Sequence, residues 1–159
     1  MKKIMLIIFS VVMLFTACKE PSIEQNVYEE NFNGITFGMT KDEIITVLGR
    51  EPDSVHESKI ESKNQMFFDV TADHVDYKFD ENGNLYLIWS FYTHYNESEK
   101  EQMSIDLEHV KEVLSKYYPE NTLTRIDELD NQLFLFTESR AIWLRIHDNS
   151  FDVVIRVSD

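Results

Sequence analysis

Apolar residues recur along this chain at two spacings, and each spacing marks a different kind of element. Ile44, Ile45, Val47 and Leu48 fall on one side of a short helix. Thr40 followed by Glu43 forms a capping box at its start, with Met39 and Ile44 as the flanking hydrophobic staple. Gly49 stops this helix and Pro52 prevents its resumption. A longer helix is predicted from Ser98 or Ser104 to Tyr117, because Met103, Leu107, Val110, Val113, Leu114 and Tyr117 are spaced by three and four.

Alternation of period two marks the strands. One is expected over Gln65–Val70, and in the next Val75, Tyr77 and Phe79 alternate with His74, Asp76 and Lys78. Asp80-Glu81-Asn82-Gly83-Asn84 then reads as a type I turn with Gly83 left-handed, so that Asp80 pairs with Asn84. Carried along the ladder, that pairing sets Phe79 opposite Leu85, Tyr77 opposite Leu87 and Val75 opposite Trp89. It gathers these residues and Phe91 on one face and sends His74, Asp76, Tyr86, Ile88, Tyr92 and His94 to the other. Further strands are expected near Leu123–Ile126, Gln132–Thr137, Ala141–His147 and Phe151–Val157, with Trp143 and Arg145 outward if Ile142, Leu144 and Ile146 face in.

The order helix, strands, helix, strands suggests an internal repeat. A shift of 67 lays Tyr77-Lys78-Phe79 over Leu144-Arg145-Ile146, and a shift of 66 lays Ile44, Val47 and Leu48 over Val110, Val113 and Leu114. The expected fold is α+β: two tandem helix-plus-antiparallel-sheet units, about 34–95 and 96–159, with the helices packed on one sheet face.

The first 33 residues follow neither spacing. Met1-Lys2-Lys3 is a charged start, Ile4 to Phe15 is apolar, and Thr16-Ala17-Cys18 is a small-residue exit. This arrangement resembles a bacterial lipoprotein signal, which implies cleavage after residue 17 and acylation of Cys18. Phe15 departs from the leucine usual at its place, and the run is too short to cross a bilayer as a helix. Residues 18–33 then form an acidic tether to a single domain at 34–159, and the implied location is the cell envelope, in the outer membrane if the cell has two.

Charge and composition narrow the partners. The fifteen Lys and Arg less Lys2 and Lys3 leave 13 against 29 Asp and Glu, a net charge of about −16 after cleavage. That balance disfavours nucleic acid, which needs a basic face, and disfavours lying flat on anionic lipid. Cys18 is the only cysteine, so once acylated it leaves no thiol for a disulfide, a zinc site or a nucleophile.

Gly34-Ile-Thr-Phe-Gly-Met-Thr-Lys-Asp-Glu, with Leu48-Gly49-Arg50-Glu51-Pro52 and then Tyr77 to Leu85, resembles the β-lactamase-inhibitor-protein-like superfamily, which includes BamE-like envelope lipoproteins. The resemblance implies tandem helix-plus-sheet units, no catalytic residues and protein binding, often through the sheet face. Its motifs encode a cap, a stop and a turn, so they bear on fold far more than on function.

Candidate chemistry is sparse. Reading Lys78–Trp89 as a calcium loop puts Lys78 and Trp89 at ligand positions that neither can fill. His56, His74, His94, His109 and His147 are scattered without metal-ligand spacing, and no nucleophile elbow or phosphate loop is present. No cofactor, metal or catalytic residue is therefore expected. The candidate partner-binding residues are His74, Tyr86, Ile88, Tyr92 and Trp143 on the free sheet face, in a lipid-anchored, non-catalytic module for an envelope protein. The alternatives are a ligand- or cation-sensing lipoprotein and a hydrolytic enzyme.

Overall fold

The structure, a computed structural model, describes residues 31–93, 95–129 and 131–158. Cys18, the signal-like segment, most of the tether and His94 lie outside the described residues. Helix α1 spans Lys41–Leu48, followed by strands β1 Ser54–Val55, β2 Lys59–Phe67, β3 Val70–Phe79 and β4 Leu85–Tyr92. A short 3-10 turn leads into α2, Lys100–Tyr117, and then come β5 Arg125–Leu129, β6 Gln132–Phe136, β7 Arg140–His147 and β8 Ser150–Val157. No described helix is long and apolar enough to cross a membrane.

At the start of α1, the Thr40 amide and hydroxyl both donate to Glu43 Oε2 at 2.8 Å, the amide bond first holding the Glu43 carboxyl below the usual carboxylate range. Gly49 ends the helix at φ 63°, a left-handed conformation that suits glycine. Only Ile44 of α1 is buried, whereas α2 buries Met103, Leu107, Val110, Val113 and Leu114 at the spacing its sequence displays.

The expected tandem of helix-plus-sheet units does not form. All eight strands join one antiparallel sheet in the order β1-β2-β3-β4-β8-β7-β6-β5. The seam is the β4–β8 ladder, which runs from Leu87 opposite Arg156 to Tyr92 opposite Phe151. Two separate sheets would have left β4 and β8 as edges with unpaired backbone groups, and pairing them satisfies both. The fold is accordingly a large sheet carrying two short helices rather than an α+β layer of repeated units.

One hydrophobic core lies against one face of this sheet. There Ile44, Val110 and Leu114 meet Ile60, Tyr77, Ile88, Tyr92, Ile142, Leu144, Phe151, Val153 and Ile155. In β2, Asn64 stands at φ 47° beside an interruption in the β2–β3 ladder, and beyond it Phe67 of β2 and Val70 and Ala72 of β3 also turn inward. The Tyr92 hydroxyl donates to Phe67 O at 2.9 Å, and its ring stacks on Phe151 at 4.4 Å. Burial pushes the Tyr92 and Tyr77 phenols well above the usual tyrosine value.

The β3–β4 register departs from the expected one by a single residue. Asp80 N bonds Asn84 O at 2.9 Å, Gly83 sits at φ 81°, and Phe79 faces Leu85 as the turn requires. Then the ladder slips: Lys78 faces Leu87, Tyr77 faces Ile88 and Val75 faces Ser90, leaving Tyr86 as the extra residue of a β-bulge. Its cause is local. Leu85 N donates to Met39 O at 2.8 Å and Leu85 O accepts from Gly38 N at 2.9 Å, so the approach to α1 holds Leu85 on its own side. Strand β4 needs one more residue to regain its partner.

Candidate functional site: the open face of the sheet

The bulge exchanges the two faces of β4, and with them two of the five expected binding residues. Ile88 is 1% exposed and Tyr92 0% exposed, both in the core rather than on the free face. Trp89 and Phe91, expected inside, stand on the other side of the sheet with His74 and Trp143. Tyr86 is half-buried in the bulge itself. Of the five candidates, His74 and Trp143 thus share the open face, Tyr86 borders it, and Ile88 and Tyr92 do not reach it.

Three rows of cross-strand neighbours make up this face. The middle row passes from Glu61 through Asp76, Trp89, Val154, Trp143 and Phe134 to Asp127. One flanking row contains Lys63, His74, Phe91, Asp152 and Arg145; the other contains Lys59, Lys78, Leu87, Arg156, Ala141, Phe136 and Arg125. Val154 and Ala141 are buried on this side by the large side chains around them, and neither belongs to the core under the helices. Every buried residue of α1 and α2 packs into that core, so among the described residues no helix covers the open face.

Asp152 organises the middle of the face. Its carboxylate, on a residue 5% exposed, accepts from Trp89 Nε1 at 2.9 Å and from Arg145 Nε and Nη2 at 3.0 and 2.6 Å. His147 Nε2 lies 3.3 Å from its other oxygen. A carboxylate buried this far needs such donors, since an unpaired charge out of water is costly. The bonds also fix the two side chains that a partner would meet. Arg145 Cζ lies 5.2 Å and Lys78 Nζ 5.0 Å from the Trp89 ring centre, both within cation–π reach. Phe91 packs on Trp89 at 4.4 Å and His74 stacks on Phe91 at 4.0 Å. Beside this group is a shallow depression of about 310 Å³ bounded by Trp89, Phe91, Arg145, His147 and Asp152.

Charge on the flanks is similarly arranged. Lys59 Nζ lies 3.3 Å from both Asp76 Oδ2 and Glu61 Oε2. Partial burial works against its ammonium, but the two carboxylates outweigh burial and hold its pKa above the usual lysine value. Arg125 reaches Asp127 at 2.5 Å and lies over Phe136 at 5.3 Å.

This surface offers half-buried aromatic rings and fixed cations, a combination suited to recognition. Among the described residues, no group of His, Cys, Asp and Glu could hold a metal ion. Trp89, Phe91 and Asp152 are the residues that sequence reasoning placed inside or passed over. Asp152 had one legible signal: it and Arg156 are charges at the positions that alternate with Phe151, Val153 and Ile155. Compared with known proteins, the chain matches no family model, no curated protein and no solved structure, so the resemblance at Gly34–Pro52 and Tyr77–Leu85 rests on those segments alone.

Proposed function

We propose that this chain is a lipid-anchored cell-envelope protein and acts as a non-catalytic protein-binding module through the open face of its sheet. One observation carries the reading: a broad sheet has its core on one side only, while the other bears Trp89, Phe91, Trp143, Phe134 and Phe136 in continuous rows. A second layer of secondary structure would normally cover such a face, and a partner can supply that layer. The anchoring part of the reading comes from the lipoprotein-like sequence around Cys18.

A photo-crosslinking amino acid at position 143, introduced in the native cell, should give a discrete protein adduct. The same group at position 105, exposed on α2, should give none. Adducts of equal yield at both sites, or at neither, would defeat the binding reading. Anchoring is tested separately: a fatty-acid analogue should label the chain and fail to label Cys18→Ser.

A further inference from the structure

The chain is strongly acidic, yet its few cations are not spread evenly. Of 15 Lys and Arg, six (Lys59, Lys63, Lys78, Arg125, Arg145 and Arg156) lie in the three rows of the open face. Only four of 29 Asp and Glu (Glu61, Asp76, Asp127 and Asp152) lie there. These rows therefore carry more cations than acids on a molecule whose net charge is −14. One row is basic throughout its charged positions: Lys59, Lys78, Arg156 and Arg125, interrupted only by Leu87, Ala141 and Phe136. With neighbouring strands about 4.8 Å apart, it extends for roughly 29 Å beside the aromatic row.

Resting on the protein-binding reading, we infer that the partner is an acidic polypeptide segment interspersed with apolar side chains, laid across the open face. Its carboxylates meet these rows at Lys63 and Lys78, Lys59 and Arg125 being held by Asp76, Glu61 and Asp127, and its apolar side chains meet Trp143, Phe134 and the depression beside Trp89. Charge complementarity selects this occupant and gives it orientation, because outside these rows the chain holds 15 less six, or nine, Lys and Arg against 29 less four, or 25, Asp and Glu. The same excess of acids opposes a second copy of this chain as the occupant. Arg145 has a further role. Asp152 takes its Nε and Nη2, and Nη1 makes no hydrogen bond with any described residue, so one corner of the guanidinium can donate outward. Lys78 and Arg145 over the Trp89 ring compete with the stacking that a sugar ring would need there, which favours a polypeptide over an anionic glycan.

The molecule supplies its own probe. Its two tryptophans, Trp89 and Trp143, both lie on this face, so intrinsic fluorescence reports on it directly. The full-length chain is titrated with tryptophan-free peptides of alternating Glu and Leu, with the matching Lys–Leu peptides, with a polyuronate, and with anionic phospholipid vesicles. The Glu–Leu peptide should change the emission saturably and lose affinity severalfold between about 50 and about 300 mM salt. Lys78→Gln with Arg156→Gln should weaken it about tenfold, and Lys63→Gln with Lys78→Gln, two side chains outside the core, provides a second reading should the first pair disturb folding. Equal or tighter binding of the Lys–Leu peptide, the polyuronate or the vesicles overturns the inference. So does an unchanged affinity in both variants, or no response to the Glu–Leu peptide. Discrete adducts at position 143 alongside any of these results would leave the binding reading standing and remove only the acidic partner.

Discussion

The two central hairpins, β3–β4 and β7–β8, hold similar aromatic residues but were encoded with very different clarity. In β7 and β8 charge marks the faces: Arg145, Asp152 and Arg156 share one side, Ile142, Leu144, Phe151, Val153 and Ile155 the other, and the structure follows that division. In β4 the run Leu-Tyr-Leu-Ile-Trp-Ser-Phe-Tyr is apolar at both parities. Its one strongly polar residue, Ser90, is fully buried, with Oγ 3.5 Å from Val153 O. Register is specified by what a slip would expose, and a slip in β4 exposes almost nothing polar. The single bulge residue Tyr86 could therefore exchange Ile88 and Tyr92 for Trp89 and Phe91 without any signature in the alternation. Patterning assigns a face where it carries polar markers, and local backbone bonds assign it elsewhere.

The strongest way to break this contrast is to truncate neighbours on opposite faces of β4. Tyr92→Ala should cost about 3–5 kcal/mol, from the lost ring packing and the vacated Phe67 carbonyl. Phe91→Ala on the open face should cost about 1 kcal/mol or less, measured by chemical denaturation. Comparable costs would mean that the faces are not distinct. Asp152→Ala comes next, at about 2–3 kcal/mol, because it leaves the Trp89 and Arg145 donors without their acceptor. Asp152→Asn should recover part of that loss, since an amide oxygen still accepts from one of them. Deleting Tyr86 should cost only about 1–2 kcal/mol, because the ladder can close from Phe79–Leu85 to Lys78–Leu87 without it. Loss of cooperative unfolding in that deletion would show that the residue is part of the regular alternation.

Much of the fold was legible in the sequence at the level of single elements. The Thr40–Glu43 cap, the Gly49 stop, the α2 stripe and the Asp80–Asn84 turn each rest on contacts within a few residues. Joining the strands into one sheet depends on the β4–β8 ladder, whose partners are 59 to 69 residues apart (Tyr92–Phe151 to Leu87–Arg156), and no local rule selects it. The open face was legible only in part. Trp143 and His74 reach it, but its centre at Trp89 and Asp152 depends on that long-range ladder and on the bulge together.

The cap provides the smallest test. Because hydrogen bonds from Thr40 lower the folded Glu43 pKa, its contribution to stability is present above the ordinary glutamate value and is lost as pH falls through the folded one. Glu43→Gln should flatten that part of the acid limb of a pH–stability curve and leave neutral pH nearly unaffected. An unchanged acid limb would show that the cap bond does not persist in solution.

Which side of β4 faces the core decides everything said of the binding surface, and thiol labelling reads that side directly. In a Cys18→Ser background the chain has no other cysteine, so Trp89→Cys and Ile88→Cys each carry a single thiol. The thiol at position 89 should react under native conditions by local access. The one at position 88 should be protected by orders of magnitude and react only through unfolding, with a rate that follows denaturant. Fast labelling at 88 with protection at 89 would restore the unbulged register and contradict the open face described above.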